Sequence, residues 1–136
     1  MTAPHFRRLP PPLRPLADKF YRSHRSPMRR QAGDELWVAQ RGSEIIAALS
    51  LRPVADGQWL TGLFVAPGQR GQGLAAGLLG CSLAEHPESV WLFCHPDLGP
   101  FYRRLGFDDC PSLPQTLAER LARYQRSKSL IALRAH

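Results

Sequence analysis

A chain of 136 residues, 43% of them hydrophobic, has enough apolar mass for one domain with a real core. No apolar run reaches the roughly 18 residues that read as a membrane span, and the first residues lack the apolar stretch of a secretory signal, so a cytoplasmic protein without a membrane partner is expected. The net charge of +7 resides in residues 1–30, where eight Arg and Lys face one acid, Asp18.

Such a basic arm suits nucleic acid or an acidic partner. No aromatic-interleaved basic groove and no named nucleic-acid motif accompanies it. It reads more simply as a solvated helix face with a general pull on polyanionic ligands, and nucleic-acid or ribosome binding is the lesser expectation. Pro4, Pro10, Pro11, Pro12 and Pro15 oppose the amphipathic helix of an organelle presequence. Cys81, Cys94 and Cys110 are odd in number and sit in or beside apolar stretches, which fits free thiols in a reducing compartment. Cys94-His95 with Cys110 matches no zinc spacing, and no metal is expected.

Residues 1–12 are proline-rich and expected to be extended. Leu13, Leu16, Ala17, Phe20, Tyr21 and His24 then recur at helical spacing, with the basic side chains outward. Ser26-Pro27 should end that helix. Residues 36–40 read as a short strand, Arg41-Gly42-Ser43 as a tight turn, and 44–52 as a buried strand. Asp56-Gly57 signals a hairpin into a strand over 58–65. A helix over 71–85 follows, with Leu74, Leu78 and Cys81 on one face. Pro87 breaks the chain before a strand over 90–95, and 98–105 form a short helix closed by Gly106 in a left-handed cap. A further strand starts in 107–110, Ser112-Leu113-Pro114 opens a helix with Leu117, Leu121 and Tyr124 on one face, and 129–134 is the last strand. This order describes a mixed α/β domain with a right-handed central crossover.

Val65-Ala66-Pro67-Gly68-Gln69-Arg70-Gly71-Gln72-Gly73-Leu74-Ala75 joins the 58–65 strand to the following helix. A strand, a glycine-bearing loop and a helix N-terminus together make an anion site. The first helical amides lack internal partners, and the helix dipole adds partial positive charge. Glycine lets the backbone approach an anion with no Cβ in the way. A phosphate group is therefore expected there. A P-loop would place Lys-Ser/Thr where Leu74-Ala75 stands. A dinucleotide fingerprint would need glycine at Ala76 and an acid ending the 90–95 strand, and neither is present.

The segment resembles the acetyl-CoA signature of the GCN5-related N-acetyltransferases (GNAT), Arg/Gln-x-x-Gly-x-Gly/Ala, standing here as Arg70-Gly71-Gln72-Gly73-Leu74-Ala75 behind a hydrophobic-Val-x-Pro entry. Pro100-Phe101-Tyr102-Arg103-Arg104-Leu105-Gly106-Phe107 resembles the same family's Phe-Tyr-x-x-Leu-Gly-Phe helix. The resemblance covers about residues 13–135, with specific motif content in 63–107. It implies one N-acetyltransferase domain over 1–136, of the GNAT acyl-CoA N-acyltransferase fold, with a mixed central sheet splayed around the cofactor and flanked by helices. It further implies acetyl-CoA as cofactor and direct transfer of an acetyl group to a primary amine of a small molecule or peptide. A homodimer is compatible with it.

By the same resemblance, the backbone of Arg70, Gly71, Gln72, Gly73, Leu74 and Ala75 binds the pyrophosphate. Leu63, Phe64 and Val65 pair with the pantetheine arm, and Thr61 or Gly62 marks a strand irregularity where the sheet splays. Phe101 and Tyr102 lie along the arm and thiol end, and Arg104 reaches toward phosphate or faces water. Tyr102 is the general acid for the departing thiolate; its plainer reading is packing with Phe101 and Phe107. The 58–65 strand departs from the family in holding no Asp or Glu as general base. Where the family commonly has Asn, seven residues before the tyrosine, stands His95, which could take the amine proton with Asp97 or simply cap the strand end. The missing carboxylate keeps a second class open, an acetyl-CoA-binding regulatory protein of the same fold acting through a protein partner. Acceptor contacts are expected around 25–35 and 110–129, where Arg25, Arg29 and Arg30 suit an acidic or carboxylate-bearing acceptor.

Overall fold

The computed structural model describes residues 3–110 and 112–136, so Met1 and Thr2 of the proline-rich arm and Pro111 lie outside it. In the seven-stranded sheet the strands lie in the order His5–Arg8, Glu35–Arg41, Glu44–Val54, Gly57–Val65, Val90–Cys94, Ile131–Ala135 and Asp108–Asp109, and among the described residues four α-helices complete a mixed α/β architecture. Two compact units divide the chain: Met1–Arg52 with Leu60–Glu85, and Pro53–Trp59 with His86–His136. No helix among the described residues is long and apolar enough to cross a membrane.

The first unit begins with a strand that the composition hides. β1 (His5–Arg8) pairs antiparallel with β2 (Glu35–Arg41), Phe6 opposite Ala39 and Arg8 opposite Trp37. The arm is thus extended, but as an edge strand within the sheet. Four residues bracketed by Pro4 and Pro10 show too little alternation to be legible as a strand. Phe6 holds the strand down: a Cβ at Gly77 would collide with its ring. After a short 3-10 turn, α1 (Arg14–Ser23) buries Ala17, Phe20 and Tyr21 and leaves Lys19 and Arg22 exposed, as its spacing predicts, but Leu16, expected on the inner face, stands at the edge of the apolar stripe and is 42% exposed.

β3 (Glu44–Val54) is buried without interruption from Ile46 to Leu51, so both of its faces are covered, as a continuous apolar run implies. β4 (Gly57–Val65) follows the left-handed Ala55, and α2 (Leu74–Ala84) buries Leu74, Leu78, Leu79 and Ser82. The helix starts three residues later than expected, because Gly71 and Gly73 are left-handed, with φ of 81° and 75°. Cys81 is exposed rather than inward. Ser82 takes the inner position and satisfies its hydroxyl on the Leu79 carbonyl at 3.1 Å.

A buried ion pair braces this unit. Asp34, fully buried, accepts from Arg52 Nε at 2.8 Å and Nη2 at 3.1 Å, and from the Gln31 amide at 2.8 Å. Burial alone would push the carboxyl up, but these hydrogen bonds and the Arg52 charge outweigh it and hold it below its ordinary value. The native chain therefore binds fewer protons there than the unfolded chain, whose Asp titrates near ~3.9. The stabilisation is complete above that value and fades as pH falls through the lower native one. Asp34→Asn should cost about 3 kcal/mol at pH 7, since it removes the buried negative charge that Arg52 and the Gln31 amide bond. Denaturant melts of both proteins should converge on acidification; a gap unchanged down to about pH 3 would contradict the assignment.

In the second unit, β5 (Val90–Cys94) runs parallel to the start of β4 through Gln58 opposite Val90 and Trp59 opposite Trp91. β7 (Ile131–Ala135) lies antiparallel on its other side and also pairs with β6 (Asp108–Asp109). α3 (Gly99–Arg104) follows β5 after a short turn, and α4 (Gln115–Tyr124) precedes β7. Trp59, Trp91 and Leu117 form one core cluster here, with Phe93 and Tyr124 packed against them. The Arg120 guanidinium sits 4.7 Å from the centre of the Trp59 ring, covering it on the α4 side.

Candidate active site

In the first unit the site residues follow one another along the chain. The Ala66 amide bonds the Ile46 carbonyl at 2.9 Å and ties the loop root to β3. Gly71 and Gly73 need glycine for their positive φ, yet a Cβ at either would meet no heavy atom within 4 Å. Internal packing thus leaves the space above both residues open. Gly73 is the N-cap of α2, and no side chain caps the helix. The first amides of that helix are therefore available to an external acceptor. Leu74 is buried, so its side chain serves the core while its amide faces the loop end of the helix.

Two guanidiniums flank this loop. Arg70 Nε donates to the Val65 carbonyl at 3.0 Å, and the group lies 5.3 Å from the centre of the Phe64 ring. Arg41, at the end of β2, donates to the side-chain oxygens of Gln69 and of Gln72, the latter at 3.1 Å. The sequence reading placed Arg41 in a turn and missed this role. Nothing local signals it, because its partners lie 28 and 31 residues away.

Just before the loop, β4 carries an irregularity at Gly62, which has φ of 68°. The Tyr21 hydroxyl donates to the Gly62 carbonyl at 2.7 Å and pins the distortion. A Cβ at Gly62 would stand 3.0 Å from both Tyr21 Oη and Met28 Cγ. Tyr21 was read only as part of a buried helix face. Its buried polar tip is the signal that it has a partner to satisfy. The residues after Gly62, Leu63 to Val65, are half-buried.

In the second unit, α3 ends in a Schellman cap. The Phe107 amide bonds the Tyr102 carbonyl at 3.1 Å, the Gly106 amide bonds that of Arg103 at 3.2 Å, and Gly106 has φ of 99°. The apolar contact that accompanies such caps is the edge-on pair of Tyr102 and Phe107, centroids 5.7 Å apart. Phe101 packs edge-on against Tyr102 at 5.1 Å. Tyr102 is only 8% exposed. Burial, reinforced by the Cys94 thiol, pushes its phenol up to about 12, so it keeps its proton at neutral pH.

Arg103 is committed to Asp109 at 2.7 Å, whereas Arg104 is exposed. His95 lies just past the end of β5 with an exposed side chain, and its Nδ1 accepts from the Asp97 amide at 3.1 Å. That bond caps the turn leading into α3. With Nδ1 accepting, the neutral ring carries its hydrogen on Nε2.

A glycine loop that leads into a helix with free first amides suits a phosphate-bearing ligand. The acetyltransferase (GNAT) domain family matches residues 32–109. The chain belongs to that family. No curated protein matches it by sequence. Among solved structures it is similar to N-acetylglutamate synthase from Neisseria gonorrhoeae, crystallised with coenzyme A and N-acetyl-glutamate (TM-score 0.70, 13% identity, covering 99% of this chain and 35% of that one). It thus spans about a third of that synthase. Tetrahymena GCN5 is similar over 96% of this chain and 94% of its own (TM-score 0.70, 14% identity). A GNAT acetyltransferase from Elizabethkingia anophelis with acetyl-CoA bound is similar over 98% and 97% (TM-score 0.64, 14% identity). At these identities the likeness speaks for the fold.

Proposed function

We propose that the chain is an acetyl-CoA-dependent N-acetyltransferase that passes the acetyl group directly to a primary amine of a small molecule or peptide, in a reducing cytoplasm. The loop carries this reading: two left-handed glycines with open space above them lead into a helix that no side chain caps. Its donors suit a pyrophosphate, with Arg41 and Arg70 adding positive charge at its flanks. Solved relatives carrying coenzyme A or acetyl-CoA support the same ligand.

Arg70, Gly71, Gln72, Gly73, Leu74 and Ala75 would hold the pyrophosphate, mainly through their amides. Leu63, Phe64 and Val65 would offer backbone groups to the pantetheine arm, as a peptide adds to a strand edge. Phe101 would give it an apolar wall, and exposed Arg104 would add charge toward its phosphates. When bound, acetyl-CoA supplies an activated thioester open to an amine. Tyr102 would keep its proton on Oη and offer it as a hydrogen bond to the departing sulfur. Positioning of the amine supplies much of the rest of the rate.

His95 is the titratable group at the head of α3, and we assign it first to the cap. The lone pair that would take a proton from the amine is the one that holds the Asp97 amide. His95→Asn keeps an oxygen for that amide and should leave kcat/KM within about threefold of wild type. A loss beyond about tenfold, together with loss of the acidic limb of the pH–rate profile, would make His95 the base instead.

Calorimetric titration with acetyl-CoA tests the donor assignment. Saturable one-to-one binding that free CoA displaces and NADH does not is expected. Binding of NADH in its place would overturn the loop reading. Tight acetyl-CoA binding without turnover on any amine would favour a regulatory protein of the same fold.

A further inference from the structure

The first unit holds a cavity of about 810 Å³ formed by the end of α1 and the segment that follows it. Four arginines, Arg22, Arg25, Arg29 and Arg30, line it against one acid, Asp18. Arg30 Nε bonds both Asp18 oxygens, at 2.8 and 3.1 Å, so that pair is locally neutral. Arg29 donates to the Met28 carbonyl at 3.1 Å, which leaves its charge uncompensated. Arg22 and Arg25 are exposed and have no acidic partner among the described residues. Three like charges around one cavity repel one another, and an anion relieves that repulsion.

Arg25 occupies an unusual backbone position. α1 closes in a Schellman cap, with the Ser26 amide on the Tyr21 carbonyl at 3.0 Å and the Arg25 amide on that of Arg22 at 3.1 Å. The left-handed position of such a cap is usually glycine, yet here it is an arginine with φ of 57°. A residue with a Cβ is strained there, and the strain sets a guanidinium at the cavity wall. Tyr21 and Met28 also line the cavity, and both meet Gly62 immediately before Leu63.

We propose that this cavity is the acceptor site and that its acceptor is a small amine bearing at least two negative charges, carboxylate or phosphate, held by Arg22, Arg25 and Arg29. The placement beside Leu63 rests on the acetyltransferase reading given above. The volume is that of a small-molecule site. A polycationic amine would meet three guanidiniums and no free carboxylate, and is excluded on charge.

The test compares glutamate, phosphoserine, glycinamide and spermidine, by calorimetric binding and by thiol release with acetyl-CoA. Glutamate or phosphoserine should bind and react with kcat/KM about tenfold or more above the other two. The better of the pair identifies carboxylate or phosphate as the anion. Arg25→Gly, which removes the strain and so keeps the fold, should raise the KM of the preferred dianion about tenfold while its acetyl-CoA affinity and Tm hold. Preference for glycinamide or spermidine would overturn the proposal and leave the acetyltransferase reading intact, as would an unchanged KM in Arg25→Gly. If no amine reacts, binding of the dianions still decides: loss of that binding in Arg25→Gly supports the anion site, and absence of any binding to the wild type overturns it. Binding of single-stranded nucleic acid that neither dianion displaces would also overturn it.

Discussion

Gly73→Trp should abolish acetyl-CoA binding, raising Kd by more than about a hundredfold. Gly73 is the left-handed N-cap of α2, and a Cβ there meets no protein atom within 4 Å. An indole at that position projects from the loop that offers its amides to the pyrophosphate, and closes off the approach. The fold should survive, because the substitution costs only the left-handed penalty of about 1–2 kcal/mol. Gly73→Ala isolates that penalty: it should weaken binding far less than tryptophan while lowering Tm by a similar amount. Calorimetry with circular dichroism melts checks both. Tight binding retained by a folded tryptophan variant would sink the assignment of this loop.

Tyr102→Phe should cut kcat by about tenfold or more and leave acetyl-CoA affinity almost unchanged. The substitution keeps the ring that packs edge-on against Phe101 and Phe107, so it removes only the hydroxyl. Burial pushes the phenol up to about 12, whereas a thiol titrates near ~8.5. Full proton transfer to a thiolate is therefore uphill, and Tyr102 acts by donating a hydrogen bond that strengthens as charge develops on sulfur. The raised value also fixes the sign of the pH dependence. The acid form persists until pH approaches that value, so no alkaline limb from Tyr102 should appear below about pH 10. Steady-state kinetics across pH 6–10 on both proteins checks this. Equal turnover would return Tyr102 to a purely packing role.

The backbone of the loop was legible because it is local. Gly71 and Gly73 sit at motif spacing between an apolar strand and an apolar run, and both adopt the left-handed backbone that their identity permits. Gly106 closes α3 in the cap that its position after Leu105 implied. The uninterrupted burial along β3 follows from a run with no polar face to expose. What stayed hidden depends on distant partners. β1 becomes a strand only because β2 offers it a free edge, and Arg41 reaches the loop only once β2 is in place. Cys81 was misplaced by one helical step, since a serine that bonds its own helix can replace a hydrophobe on the inner face. The cap at His95 was one of two roles open to it in the sequence, and the choice between them depends on backbone geometry two residues on.

Acetyl transfer itself is the central claim, and mass spectrometry of the reaction tests it most directly. Incubated with acetyl-CoA and a panel of amines, the wild-type protein should release free thiol and form an N-acetylated product in equal amounts, both suppressed in Gly73→Trp. Thiol release with no acetylated amine, or none of either despite tight acetyl-CoA binding, would contradict it.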